Sequence, residues 1–333
     1  MAETQSECKL WVFVEQRKGK PAEVGIELLG KALNLAEDIG WKVGAVLLGH
    51  QVEKLADEIL SYGVHEVIVA DASGLAEYHN LAYVKVLERA IREHEPEVFL
   101  LGATTMGTDL GPRLAARLRT GLSAHCIDLE LNDTGELLAV IPWSGGNSLG
   151  RISCPRTRPQ MATINPGIFD MPPPGTVRGR IIYINGAVDQ SDFGYRIVET
   201  HHQEAKPGDL ETAEVIVVGG YGVGREENWH HIEDLAAMLH GAVGATRPPV
   251  DEGWAEGNQM VGQSGRTVYP RLYIGIGISG HMHHLVGIKK ADLMVAINQD
   301  PNAAIFAHCD LGLVGDLKDI VPSLIESLKG YSQ

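Results

Sequence analysis

Glycine-rich loops in the last third of the chain are the strongest candidates for ligand binding. The segment Gly275–Gly280 reads Gly-Ile-Gly-Ile-Ser-Gly, follows an apolar run and precedes an amphipathic one. Glycines at this spacing let the backbone approach a pyrophosphate, and the first amides of a helix bind its charge. A second cluster, Gly219–Gly224, ends an earlier apolar run, where open α/β sheets bind their ligands. Two candidate phosphate loops in one domain predict an extended nucleotide ligand.

Tight packing of a strand on a helix is the alternative explanation for Gly275–Gly280, because a chain with 39 glycines contains such motifs by chance. The acidic ribose ligand of dinucleotide sites has no simple counterpart here, where Asn298 and Asp300 are the candidates. Two further segments, 244–251 and 261–265, set polar residues between glycines, as binding loops do. An NAD-dependent dehydrogenase is therefore one hypothesis, although the sequence offers it no clear acid-base His–Asp pair.

Alternating apolar strands and amphipathic helices place these loops at the ends of strands. The alternation runs through the first 120 residues and returns after residue 213. It is typical of parallel sheets covered by helices, and it predicts an α/β fold of two doubly wound, Rossmann-like domains. After Ser123 the chain changes to short β-rich runs, which predict an antiparallel β extension of the first domain. These runs include Leu137–Trp143, Gln160–Ile164 and Arg178–Ile184.

A polar stretch divides the chain into the two predicted domains. Residues 1–200 are predicted to form the N-terminal α/β domain with its β-rich extension, and residues 213–333 the nucleotide-binding domain. Residues 201–212 between them contain two histidines, a lysine and a Pro-Gly pair, which predict a hinge or linker. The first domain has neither a Walker A loop nor a GxGxxG, so the ligand is expected in the second.

Composition and charge exclude several classes of protein. Hydrophobic residues make up 44% and charged residues 21% of the chain, as in a globular protein. A net charge of −15 argues against a nucleic-acid partner, which needs clustered Lys and Arg. No apolar run approaches the roughly 20 residues that span a bilayer, and the polar start lacks the features of a signal peptide. Four scattered cysteines without a CxxC pair favour a reducing compartment, so we expect a cytoplasmic protein.

The loops of the second domain, taken in order, resemble those of the alpha subunit of electron transfer flavoproteins. Leu272–Gly280 with His284, Val295–Pro301 and Gly315–Leu317 carry the resemblance together with the loops above. It covers the second domain closely and the first more loosely, through Arg158–Ala162. It implies one FAD in the second domain and a beta subunit bound to the first. It also implies that flavin dehydrogenases such as acyl-CoA dehydrogenases are the electron donors.

The resemblance further implies which residues contact FAD. Arg247 keeps its charge at any ordinary pH and would stabilise negative charge on the reduced flavin. Ser264 would hydrogen-bond N5 or O4, and His284 would donate to O2. No catalytic acid or nucleophile is expected, and the histidines at 281–284 have no carboxylate or cysteine at ligand spacing, so no metal is expected. The implied contacts are Thr246, Arg247, Val261, Gly262, Gln263, Ser264, Ser279, Gly280, His281, Met282, His283, His284, Asn298, Asp316 and Leu317.

One position departs from the family pattern. Tyr221 stands inside the first glycine cluster where the family often has arginine, and Arg225 is close enough in sequence to compensate. Both are therefore candidate contacts, and loss of a cation would lower the flavin potential. The altered surroundings motivate a further hypothesis, that the protein belongs to an NADH-dependent electron-bifurcating complex. A non-catalytic adenine-nucleotide sensor built on the first domain is the remaining alternative.

Overall fold

The chain divides into two compact units, Met1–Glu199 and Thr200–Gln333. Of the predicted linker at 201–212, only Leu210 lies within the described residues, and it packs into the core of the second unit. Among the described residues, no helix has both the length and the apolar character needed to cross a membrane. The structure, a computed structural model, describes residues 6–17, 19–143, 148–175, 179–189, 192–195, 197–199, 210, 213–288 and 291–331.

Apolar runs form the strands of the first unit. Several of them are buried along their whole length, which is typical of a parallel sheet covered on both faces. They are β1 (Leu10–Phe13), β2 (Gln16–Arg17), β3 (Lys20–Pro21), β4 (Val43–Gly49), β5 (Glu66–Asp71), β6 (Val98–Gly102), β7 (Leu122–Cys126), β8 (Asp128–Leu131), β9 (Leu137–Trp143), β10 (Ser148–Ile152), β11 (Gln160–Ile164) and β12 (Arg180–Tyr183).

The helices of the first unit bury one apolar stripe, as helices that cover a sheet do. The first of them buries Leu28, Leu29, Ala32 and Ala36. The spacing of these residues is helical, and the sequence predicts a helix at this place. The helices are α1 (Glu23–Glu37), α2 (Glu53–Leu60), α3 (Asn80–His94) and α4 (Thr105–Leu118).

The main sheet of the first unit has the strand order β12-β5-β4-β1-β6-β11-β7, and its neighbouring strands all run parallel. The sheet extends from β1 through β4 to β5 on one side. The chain then returns, and β6 pairs with β1 on its other side. A separate antiparallel sheet has the order β10-β9-β8. The predicted doubly wound α/β fold with an antiparallel extension is therefore confirmed for this unit.

Two of the β-rich runs that the sequence assigns to the antiparallel extension belong to the main sheet instead. Gln160–Ile164 is β11, which is buried throughout and lies parallel between β6 and β7. The run at Arg178–Ile184 contains β12, which lies parallel beside β5. The prediction was wrong for these runs because the described residues between β11 and β12 form no helix, so the strand–helix alternation that marks a parallel sheet is missing there.

The second unit holds a parallel sheet of order β14-β13-β15-β16-β17, which confirms the second predicted α/β domain. The strand order reverses at β13, because β14 lies on one side of it and β15 on the other. At such a reversal the carboxyl ends of the strands leave a crevice. The strands are β13 (Val215–Gly219), β14 (Ala242–Ala245), β15 (Leu272–Ile276), β16 (Leu293–Asn298) and β17 (Leu311–Val314).

The helical segment after Gly275–Gly280 begins where the sequence predicts, but it is an α-helix only in its first part. A helix from about Met282 to Lys289 is expected; the α-helix Met282–Leu285 continues as a 3₁₀ turn, Val286–Ile288, and Lys289 lies outside the described residues. The helices of this unit are α5 (His230–Met238), α6 (Arg247–Asp251), α7 (Met282–Leu285) and α8 (Leu317–Tyr331).

A buried carboxylate joins the edge strand β12 to β5. The side chain of Glu66 is 3% exposed, and Nε of Arg180 donates to its Oε1 over 2.9 Å. Burial by itself would raise the pKa of Glu66, but hydrogen bonds from Ser6, Arg180 and Cys8 outweigh it and lower the pKa overall. Since the folded-state pKa lies below the unfolded value, the stability from this pair is present above the unfolded pKa and is lost as the pH falls through the folded one.

We expect Arg180→Met to lower the free energy of unfolding by about 1–3 kcal/mol at neutral pH, because it leaves a buried carboxylate without its cation. The loss should shrink in acid, where a protonated Glu66 needs no cation. Chemical denaturation at several pH values measures both effects. Arg151→Met is the control, since Arg151 pairs with Glu130 on the surface and both side chains are well exposed. An equal, pH-independent loss in both variants would contradict the expectation.

Candidate cofactor site

A cavity of about 1100 Å³ opens in the second unit at the carboxyl ends of its strands. Small-molecule pockets usually hold roughly 300–1,000 Å³, so this cavity suits a large, extended ligand. Residues 221–222 follow β13, residues 246–248 follow β14, and residues 277–279 follow β15, and all of them line it. Parallel strands bring these segments together because their carboxyl ends meet at one edge of the sheet.

The glycines after β13 and β15 pack backbone against backbone at the bottom of this crevice. Gly222 donates its N–H to the carbonyl of Gly277 over 2.9 Å. Gly277 has a φ of +65°, and a Cβ added there would lie 2.7 Å from the carbonyl carbon of Gly222. Tight packing, the alternative explanation for this motif, is therefore correct for Gly277. Both glycines also line the cavity, so the same close approach lets a ligand reach the backbone.

Three successive backbone N–H groups have no acceptor in the part of the chain that the structure describes. Among the described residues, the N–H groups of Ser279, Gly280 and His281 have no hydrogen-bond partner, although Gly280 is buried. Ser279 and His281 line the cavity. Successive N–H groups of this kind, ending at the first turn of a helix, form a cradle for an anionic group such as a phosphate.

Hydrogen bonds connect the cavity wall at 261–265 to the wall that contains His283. Gln263 donates its N–H to the carbonyl of His283 over 2.7 Å, and Nδ1 of His283 lies 2.5 Å from Oε1 of Gln263. Gly262 has a φ of +138°, and a Cβ added there would lie 2.7 Å from the His283 carbonyl oxygen. Only a glycine permits this approach. The wall at 261–265 therefore keeps a fixed position relative to the cradle, and Ser264 stands exposed on it.

Both ring nitrogens of His284 lie within hydrogen-bond distance of other groups of the protein. Nδ1 lies 2.9 Å from the carbonyl oxygen of Val261, and Nε2 lies 2.7 Å from the hydroxyl of Tyr273. Burial lowers the pKa of His284, which favours a neutral ring. His284 lines the cavity as expected, but the expected donation to a ligand oxygen does not fit this arrangement, since the one hydrogen of the neutral ring points to Val261.

Arg247 brings a positive charge to the rim of the cavity. It is the first residue of α6, its side chain is 68% exposed, and its Nε pairs with Asp251 over 3.3 Å. Among the described residues only Nε of this guanidinium has a partner, so the Nη groups are available to a ligand. Asn298 has a different role, since it donates to the carbonyl of Ile278 and accepts from the N–H of Asp300, which ties the ends of β15 and β16 together.

Tyr221 lines the cavity where the family often has arginine. Its ring stacks on Trp254, with centroids 5.7 Å apart and an angle of 4° between the planes. Arg225 is exposed and is not among the described residues that line the cavity. The turn at Gly224, with a φ of +85°, precedes Arg225, and a contact of Arg225 with the cofactor stays a prediction.

Other sequence-predicted residues lie beside the cavity. Among the described lining residues, Gly280 and Met282 are absent, and Gly280 contributes only through its backbone position in the cradle. Leu317 lines a neighbouring cavity of about 240 Å³ that shares Asn298 with the first, and Asp316 accepts the N–H of Lys318 at the start of α8. The predicted residues that line the main cavity are Tyr221, Thr246, Arg247, Val261, Gly262, Gln263, Ser264, Ser279, His281, His283, His284 and Asn298.

Sequence reasoning missed a short turn that closes the cavity after β16. In this turn the N–H of Asn302 donates to the side chain of Asp300 over 2.9 Å. An Asp-Pro-Asn run of this kind is a turn signal, and its position directly after a strand is the sequence feature that points to the site. The lining residues outside every segment that the sequence singles out are Met260, Asn302, Ala303 and Ala304.

The second unit has a parallel sheet with a large cavity where the strand order reverses. Its strand ends pack closely through glycines, and a cradle of backbone donors faces the cavity. These features define a nucleotide-binding α/β domain. Comparison with known proteins makes the class specific. Residues 10–187 match the electron transfer flavoprotein domain, and residues 209–289 match the electron transfer flavoprotein FAD-binding domain. The chain belongs to the family of electron transfer flavoprotein alpha subunits.

Curated relatives are similar over almost their whole length. The electron transfer flavoprotein subunit alpha of Thermoanaerobacterium thermosaccharolyticum is 43% identical, with 96% of this chain and 97% of the relative covered. The protein of the same name from Clostridium acetobutylicum is 41% identical, with 96% of each chain covered. The acryloyl-CoA reductase electron transfer subunit beta of Anaerotignum propionicum is 36% identical, with 98% and 97% covered.

FAD is the cofactor of this domain, and the described residues fit it. The cradle at 279–281 offers N–H donors for a pyrophosphate, Arg247 offers a guanidinium for negative charge, and the volume suits a dinucleotide. Bound FAD supplies the electron chemistry. The residues of the chain bind and orient it and set the charge around it.

Proposed function

We propose that this chain is the FAD-carrying subunit of a heterodimeric electron carrier. It takes electrons from flavin dehydrogenases, with acyl-CoA dehydrogenases as the first class to test, and passes them to an acceptor. The observation that carries the proposal is the cavity itself, whose described lining combines backbone N–H donors and the Arg247 guanidinium with hydroxyl, amide, imidazole and carboxylate side chains. Such groups bind and tune a cofactor, and none of them has to act on a substrate.

The second chain of the carrier is a beta subunit in this proposal. Residues 1–200 are the platform for it, residues 213–333 hold FAD, and residues 201–212 form a hinge. The first unit supplies a large α/β body with an antiparallel sheet, β8 to β10, on which Leu149 is 62% exposed.

The FAD contacts proposed for this chain are the predicted residues that line the cavity and those beside it. Arg247 lowers the energy of negative charge near the rim, and the cradle at 279–281 holds the phosphates. Ser264 donates to the ring system from the opposite wall. Asn298 and Leu317, which meet at the neighbouring smaller cavity, bind the far end of the ligand.

The donor class is supported by a relative whose name includes acryloyl-CoA reductase, an enzyme that acts on a CoA thioester. The four cysteines are unpaired, which suits a reducing compartment, and a cytoplasmic location is part of the proposal. Electron bifurcation from NADH is a separate hypothesis, and the preparation described next tests it as well.

The visible spectrum of the chain purified with a co-expressed beta subunit is the test of this function. We expect a yellow protein that releases FAD in stoichiometric amount and is reduced by an acyl-CoA dehydrogenase with its substrate. A colourless preparation that binds NAD or ATP would overturn the proposal in favour of a dehydrogenase or a nucleotide sensor. Reduction of ferredoxin by NADH in the same preparation, supplied with a high-potential acceptor that takes the second electron of each pair, would support bifurcation, and its absence under these conditions would exclude it.

A further inference from the structure

A buried tyrosine lies directly beneath the wall of the FAD cavity. Tyr273 belongs to β15, has no exposed surface, and places its hydroxyl 2.7 Å from Nε2 of His284. Nδ1 of the same ring lies 2.9 Å from the carbonyl oxygen of Val261. A carbonyl only accepts hydrogen bonds, so Nδ1 carries the ring hydrogen. The ring is neutral because burial lowers its pKa, so Nε2 has no hydrogen and accepts one from Tyr273.

We propose that Tyr273 is a positioning residue of the FAD site, whose hydroxyl fixes the tautomer and the direction of the His284 ring and so keeps a positive charge out of the cavity wall. Tyr273 itself is not among the described residues that line the cavity, so it acts only through His284. The inference uses the binding of FAD and is independent of the partners proposed above.

The packing of the core does not require the hydroxyl of Tyr273. A phenylalanine would fill the same space in the core, and burying a hydroxyl is unfavourable unless it is hydrogen-bonded. Burial raises the pKa of Tyr273 well above its ordinary value, so the hydroxyl keeps its hydrogen and remains a donor. A donor to Nε2 stabilises the neutral imidazole and disfavours the charged form.

The same contacts connect three parts of the site. Tyr273 lies on the central strand β15, His284 on the cradle side, and Val261 at the start of the opposite wall. Val261 in turn donates its N–H to Ala245, the last residue of β14, over 2.9 Å. These hydrogen bonds therefore connect the sheet to both walls of the cavity. The series is continuous only when the hydrogen of the His284 ring is on Nδ1.

Nitrogen-15 NMR of labelled histidine in the FAD-loaded full chain, co-expressed with its partner subunit, tests the inference. In the wild-type protein, Nδ1 of His284 should be protonated and Nε2 should be an unprotonated, hydrogen-bonded nitrogen. In Tyr273→Phe the Nε2 resonance should shift, because the donor is gone. The FAD midpoint potential should rise above the wild-type value, most at low pH, because the pKa of His284 is higher without the donor to its neutral form and a nearby cation favours the reduced cofactor.

Tyr83→Phe is the matched control. Tyr83 is 3% exposed, and its hydroxyl donates to the carbonyl of Leu75 over 3.1 Å in the first unit, so the variant also removes one buried hydrogen bond. It should leave the His284 resonances and the potential unchanged.

Two outcomes overturn the inference. One is an unchanged potential in Tyr273→Phe, whatever happens to the resonances. The other is a protonated Nε2 in the wild-type protein, which decides the matter even if the variant does not fold. Neither outcome bears on whether the chain carries electrons between partners, because the measurements require only bound FAD.

Discussion

Replacing Gly280 by alanine is expected to abolish retention of FAD and to lower the free energy of unfolding by about 3–5 kcal/mol. Gly280 has a φ of +87°, which is strained for any residue with a Cβ. A Cβ there would lie 2.1 Å from the backbone nitrogen of Ile305. That nitrogen donates to the carbonyl of Ser279, so the backbone of the cradle would have to move.

Gly257→Ala is the control for this variant. Gly257 belongs to the same unit, has no positive φ, and has no atom within 4 Å of an added Cβ. It should keep stoichiometric FAD and the stability of the wild-type protein. Chemical denaturation and the ratio of flavin to protein after gel filtration measure the two effects. If Gly280→Ala behaves like Gly257→Ala, the backbone at 279–281 is not a cradle of fixed shape.

The sequence predicts well those helices and strands whose apolar pattern lies within one continuous segment. The spacing of apolar residues predicts a helix over Leu81–His94 and a strand over Val98–Gly102; the structure has α3 ending at His94 and β6 with the same bounds as the predicted strand. Strand β11 is predicted as a strand but is given the wrong sheet. Its neighbours β6 and β7 come from distant parts of the chain. The pattern of residues in a single sequence does not show which distant strands pair with each other.

The site shows the same division between local and long-range information. Glycine clusters at strand ends predict the position of the cavity, because the geometry of parallel sheets fixes where strand ends meet. The partner of His284 could not be predicted, since Tyr273 reads as one more apolar residue of a strand until the fold places its hydroxyl 2.7 Å from the ring. Sequence distance does not reveal the left-handed turn at Gly224, after which Arg225 lies outside the described lining of the cavity.

The double variant Arg247→Ala with Ser264→Ala is expected to weaken FAD binding by roughly 30-fold to 2,000-fold. Removal of a charge-assisted hydrogen bond costs about 1.5–3 kcal/mol and of a neutral one about 0.5–1.5 kcal/mol, which together give this range. The two side chains come from different walls of the cavity, so each removes an independent contact. Titration of the apoprotein with FAD, followed by flavin fluorescence, measures the change.

Arg271→Ala with Ser323→Ala is the matched control, because it removes the same two residue types from the same unit away from the cavity. Arg271 is 75% exposed and faces Glu214 at 3.8 Å, and the hydroxyl of Ser323 donates to the carbonyl of Asp319 within α8. Since neither side chain is among the described lining residues, FAD affinity should stay within about twofold of the wild-type value. Equal losses in both double variants would mean that net charge, and not contact with the cofactor, sets the affinity; equal retention would remove Arg247 and Ser264 from the FAD site.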